Sequence, residues 1–113
     1  MGTPKMHDGK MFQLLRDENT EEFNRLKEEG GTIDLVNVNL RGLDLRGLNA
    51  DGLNLQDAYL RNSDLRGIDF RKANIEGASI CQAKISGCYF PKELSAEELR
   101  MSSELGTRLR YRN

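Results

Sequence analysis

The sequence predicts an all-β solenoid, a square coil of about three turns with a helical cap at each end. Three observations predict it. Residues 33–92 divide into twelve consecutive pentads with no insertion or deletion. The third place of every pentad is apolar: Leu35, Leu40, Leu45, Ala50, Leu55, Leu60, Leu65, Phe70, Ile75, Ile80, Ile85 and Phe90. The second place is Asp or Asn in eight of the twelve, and the fifth is Gly, Asn or Asp in nine.

A strict period of five fits neither a helix nor a long strand, whose periods are about 3.6 and 2. It fits a chain that turns a corner every five residues. Places one and three flank place two as in a very short strand, so both point inward. The first place is accordingly apolar or small throughout, from Ile33 and Val38 to Ala83 and Cys88. The fifth place carries the corner, where Gly, Asn and Asp tolerate a positive φ. Four sides close a coil of twenty residues, and coils stack at roughly 4.8 Å, the strand separation.

The pentads resemble the A(D/N)LXX pattern of the pentapeptide-repeat family, over 60 of the 113 residues. The resemblance implies a right-handed quadrilateral β-helix, often joined as a dimer through its C-terminal end. One departure is the first place of the first five pentads, where Ile33, Val38, Leu43, Leu48 and Leu53 stand in place of the Ala the family prefers. The first coil is therefore expected to be wider or differently packed. The best-understood members resemble B-form DNA in shape and charge and bind DNA gyrase. This chain departs from them, because its repeats hold seven acids against eight bases and no loop insertions.

Composition narrows the classes. A net charge of −1 from mixed charges argues against a polyanion binder and against an acidic DNA mimic. No apolar run approaches the about 20 residues of a membrane helix, and the N-terminus has no signal-like stretch. Two cysteines are too few for a disulfide framework, which points to a reducing, cytoplasmic setting. Cys81 is expected outward and Cys88 inward, on different sides and unbridged.

Outside the pentads the chain reads as follows. Residues 1–10 are polar, with Pro4 and two glycines, and are expected to be a disordered tail holding the single histidine, His7. Residues 11–31 form the N-terminal cap. A short helix over 11–16 brings Phe12 and Leu15, and a second carries Phe23 and Leu26. Thr20 is the expected N-cap of that second helix, and Gly30-Gly31 its end. A first coil exposes an apolar cross-section and an unpaired edge, and these four residues are suited to cover it. Phe23 is also expected to fill the space that Ala50 leaves above Phe70 and Phe90. The repeats occupy 32–92. Residues 93–113 follow, with a capping box at Ser95 and Glu98, a staple between Leu94 and Leu99, and a helix from Ala96 to about Leu105 that stops at Gly106. Leu94, Leu99, Met101, Leu105 and Leu109 exceed one narrow stripe, so some should cover the last coil and others are left for a second copy. Arg108, Arg110 and Arg112 are expected to be exposed.

The outward fourth place holds Arg41 and Arg61 on one side, Arg46 and Arg66 on the next, and Arg71 on the third. Arginines one coil apart repel by about 1 kcal/mol in water. Asp44, Asp64 and Asp69, two residues before arginines, are expected to offset this only in part. The plainer reading is a solvated face. The sharper one is a partner-binding surface for an acidic protein, with nucleic acid unlikely. Tyr59 and Tyr89 are also expected outward. No catalytic set, phosphate loop or metal cluster is visible, and no cofactor is implied. The expectation is a non-enzymatic protein-interaction module that dimerises through its C-terminal end, with a DNA gyrase or topoisomerase modulator as the alternative.

Overall fold

Six corners of the repeat region, those after Leu45, Ala50, Leu55, Leu65, Phe70 and Ile75, are each built by two hydrogen bonds that the pentad itself encodes. A computed structural model of the protein describes residues 5–30 and 33–112, with side chains from residue 9 onward. In all eight pentads with Asp or Asn at the second place, the side-chain Oδ1 accepts the backbone N–H two residues on, as Asp34 does from Val36 and Asn74 from Glu76. This is the local turn these residues favour. From Leu48 onward the N–H of the next first place returns to the third-place carbonyl, as from Leu48 to Leu45 and from Ala78 to Ile75, whereas the Leu43 N–H goes to Ser63 Oγ. The fifth place is third in that four-residue turn. It takes a positive φ at Asn37, Asp57, Asn62 and Gln82, as it does at the glycines between Gly42 and Gly87. That is the demand of a type II turn. Lys72 is an exception without positive φ, so its corner turns another way.

The coils are joined by isolated parallel bridges between second-place residues twenty apart. Asn39, Tyr59 and Ser79 form one ladder, and Asp44, Asp64 and Lys84 another. Asn54 pairs with Asn74, and Asp69 with Tyr89. Among the described residues no bridge extends into a longer strand, because each side offers one paired residue before the chain turns again. The register assigns 33–37, 53–57 and 73–77 to a first side, 38–42, 58–62 and 78–82 to a second, 43–47, 63–67 and 83–87 to a third, and 48–52, 68–72 and 88–92 to a fourth. The third-place residues from Leu35 to Ile80 are buried, with Ile85 and Phe90 half-buried in the last coil. Phe70 stacks on Phe90 with centroids 5.8 Å apart. Ile33, Val38 and Leu43, large where Ala is usual, pack half-buried against this core.

Three helices flank the coil: α1 (Lys5–Arg16), α2 (Thr20–Glu28) and α3 (Ala96–Leu105). α1 begins at Lys5, earlier than the expected start at 11, so much of the stretch read as a disordered tail is helical. Once Met11 and Leu15 are buried against the core, each residue added N-terminally gains a helical hydrogen bond. Residues 1–4, Gly31 and the His7 side chain lie outside the described residues.

Leu15 and Phe23 are fully buried in the same cluster as Ala50, and Phe12 and Leu26 pack against it. The cap also meets the first coil's backbone. Thr20 Oγ1 donates to the Arg46 carbonyl (3.1 Å), and Asn24 Nδ2 to that of Gly47 (2.8 Å). Asn24 Oδ1 accepts the Asn49 N–H (2.9 Å), and Glu18 Oε2 that of Asp44 (2.8 Å). The N-cap of α2 is Asn19, which accepts from Glu22 N, rather than Thr20. Both types cap well, and Thr20 is drawn off to the coil.

At the other end Ser95 caps α3 by accepting from Glu98 N, and Gly106 ends it at φ 82°. The residues after Gly106 are not a loose tail. Leu109 is buried, its N–H donates to the Ala78 carbonyl, and its own carbonyl accepts from Gly77 N. Tyr111 Oη accepts the Ile75 N–H at 2.9 Å, and Ser102 Oγ accepts that of Ile80 at 3.1 Å. The tail and α3 thus cover the first and second sides of the last coil.

Candidate functional site

The outward arginines divide by the residue two places before them. In three pentads that residue is Asp, whose Oδ1 already holds the fourth-place N–H. Both oxygens then chelate the guanidinium. Arg46 reaches Asp44 at 2.9 and 2.7 Å, Arg66 reaches Asp64 at 2.8 and 2.7 Å, and Arg71 reaches Asp69 at 3.0 and 2.8 Å. Arg46 Nε also stands 3.3 Å from Asp64 Oδ2, across one coil. The Arg66 hydrogen bond holds the Asp64 carboxyl well below the usual carboxylate range, the Arg46 hydrogen bond lowers Asp44, and the Arg71 hydrogen bond lowers Asp69 to about 2.

The aspartates were expected to offset the arginines only in part, and for three of the five they do so by direct pairing. Arg46, Arg66 and Arg71 each sit in a two-point pair, because the bond that builds the corner aims the carboxylate at the fourth place. The Asp44 and Asp69 pairs are exposed and each is worth little to stability; Asp64 is half-buried between Arg46 and Arg66, and all three pairs leave little net charge for a partner to read.

Arg41 and Arg61 differ. Their second-place residues are Asn39 and Tyr59, which carry no charge. Among the described residues neither arginine has an ion pair, and together with Asn39 and Tyr59 they line a shallow cleft on the second side. Two more arginines border it. Arg16 of α1 donates to the Asn39 carbonyl at 3.2 Å. Arg108 of the tail donates to the Gly77 carbonyl at 2.7 Å and to Tyr59 Oη at 2.9 Å, with its guanidinium over the Tyr59 ring. Tyr89, 58% exposed, is likewise covered by Arg71, 4.6 Å from the ring centroid. The sequence reading missed Arg16 and Arg108, which arrive from the two caps. An uncharged residue two places before the arginine (Asn39, Tyr59), against Asp there (Asp44, Asp64, Asp69), is the signal that separates a free guanidinium from a chelated one.

Of the residues assigned to a dimer interface, Leu94 and Leu109 are buried within the single chain, where they cover the last coil. Leu99 packs against the core, Met101 is half-buried and Leu105 is 73% exposed. Arg110 donates to Glu98 from its backbone at 2.9 Å and from its side chain at 3.1 Å. That pair lowers the Glu98 pKa and takes the carboxylate the capping box would have used. Cys81 and Cys88 are both free; Cys88 Sγ contacts the Leu65 carbonyl at 2.9 Å, and burial pushes its thiol pKa up. Among the described residues no cluster of His, Cys, Asp and Glu could hold a metal ion, and no helix is long and apolar enough to cross a membrane.

A chain of five-residue repeats paired at an offset of twenty, with outward side chains in columns, defines a repeat-protein module. A family model described as pentapeptide repeats in eight copies matches residues 33–71 and 51–87. The chain belongs to the pentapeptide-repeat family. No curated protein and no solved structure matches it.

Proposed function

We propose that this protein is a non-enzymatic interaction module: a small rigid rod, coiled as a right-handed quadrilateral β-helix, that presents a side-chain surface to a protein partner in the cytoplasm. The observation that carries this reading is the division of labour within each pentad. Places one and three are consumed by the core, and places two and five by corners and ladders. The fourth place remains, and the register sets fourth-place side chains one above another along each side. A fold alone does not name a function, and such columns supply contact surface rather than reacting groups. Dimerisation through the C-terminal end is part of the proposal, carried now by Leu105 with Met101 and Leu99 beside it. The balance of seven acids to eight bases in the repeats weighs against gyrase modulation by DNA mimicry.

The test is capture from the source cells with the purified chain as bait, followed by reconstitution from purified components. A protein that re-forms a stoichiometric complex supports the reading. Failure to hold any protein, or a stoichiometric effect on gyrase supercoiling instead, overturns it.

A further inference from the structure

We infer that the second side of the coil is a docking site for an acidic, extended segment of the partner protein, gripped by Arg41 and Arg61. This rests on the interaction-module reading above and names the place and chemistry of contact. The three pentads of that side, VNLRG, AYLRN and ASICQ, contain no acid, whereas each of the other three sides carries at least two. The two guanidiniums are therefore the cations of the repeats best placed to accept an outside carboxylate. Arg16 and Arg108 extend the positive column at its two ends, each already anchored to the coil backbone. Among the described residues Asp57, 3.8 Å from Arg108, is the one acid paired to this group.

Geometry favours an extended acidic peptide. Arg61 lies beside the C-terminal end of α3: its Nη2 is 3.4 Å from where a Cβ on Gly106 would stand. That end favours a cation, yet the guanidinium makes no hydrogen bond there among the described residues. Its fork stays free for two-point binding of a carboxylate, as does that of Arg41. The two residues lie one coil apart, roughly 4.8 Å, and alternate residues of an extended chain lie about 6.8 Å apart. Flexible arginine stems span that difference. Tyr59, which lines the same cleft beneath Arg108, supplies a ring of the kind enriched in protein interfaces.

Nucleic acid fits less well. A duplex binder typically makes about 6–10 phosphate contacts. Here the column is four arginines wide at most, and the adjoining first side carries Asp34, Asp57 and Glu76 with no base.

The experiment uses the full chain and a fluorescein-labelled peptide of alternating Ser and Glu, with a Ser-Lys peptide as control, read by anisotropy. The variants are R41Q/R61Q and R46Q/R66Q, each checked for an unchanged circular-dichroism melt. Wild type should bind the acidic peptide saturably. R41Q/R61Q should weaken it about tenfold or more, the loss of charge-assisted hydrogen bonds, and R46Q/R66Q should leave it nearly unchanged. Equal loss in both variants overturns the assignment to the second side while leaving an interaction module standing. No saturable binding by wild type overturns the acidic-peptide chemistry, whatever the capture experiment finds. Tighter binding of duplex DNA than of the peptide, falling steeply with salt, overturns it in favour of nucleic acid.

Discussion

Leu60 and Arg61 are neighbours with opposite roles. Leu60 is 1% exposed with a coil on either side, and Arg61 points to solvent. Leu60→Ala should cost about 2–5 kcal/mol and Arg61→Ala under about 1 kcal/mol. Thermal melts of the two variants decide it, and equal shifts would refute the inside–outside alternation. The chelated aspartates carry a pH dependence of defined sign. Asp69 moves from its ordinary 3.8 to about 2 on folding, through its Arg71 hydrogen bond. The folded state therefore holds this proton more weakly than the unfolded chain. Its contribution is fully present above 3.8 and drains as the pH falls towards about 2. Melting curves across that window should fall for wild type and fall less for Asp69→Asn. At this scale the sequence was nearly transparent. Core places and corner residues are dictated by local period and turn chemistry. The pairing of the fourth-place arginines was less so, because it turns on whether the residue two places earlier is Asp or an uncharged Asn or Tyr.

Among the elements, α2 acts as a strand-edge surrogate as well as an apolar lid. Asn24 alone satisfies one donor and one acceptor of the first coil. Asn24→Ala should cost about 1–3 kcal/mol by leaving both unpaired, measured as a shift in urea midpoint. Loss within error would mean that water replaces the amide fully. The bounds of α3 were legible because Ser95 and Gly106 are chemical stop signs. The path of 107–112 was not, because what holds it is distant in sequence: the free N–H of Gly77, the carbonyl of Ala78 and the carboxylate of Glu98. A run of arginines around a single leucine looks like solvated tail until those groups are known to be waiting.

For the whole molecule, the proposed dimer rests on the C-terminal surface. Leu94 and Leu109 are spent inside the chain, so the proposed second copy would meet chiefly Leu105, with Met101 and Leu99 beside it. Leu105→Glu should turn a dimer into a monomer by light scattering with little change in melting temperature. A wild type that stays monomeric at high concentration removes the dimer altogether.

The offset of twenty between paired residues has a consequence for how such a chain can lengthen. A single inserted pentad keeps the inward and outward places of every pentad, since the period of five is preserved. It also rotates everything downstream by a quarter turn. Arg61 would leave the column of Arg41, and Tyr59 would no longer pair with Asn39. The tail would meet its coil out of phase with the N-terminal helices. Growth by one repeat conserves the scaffold and scrambles the surface, while growth by four conserves both. Length in this protein is thus also an angular setting, with one step in four returning the same face.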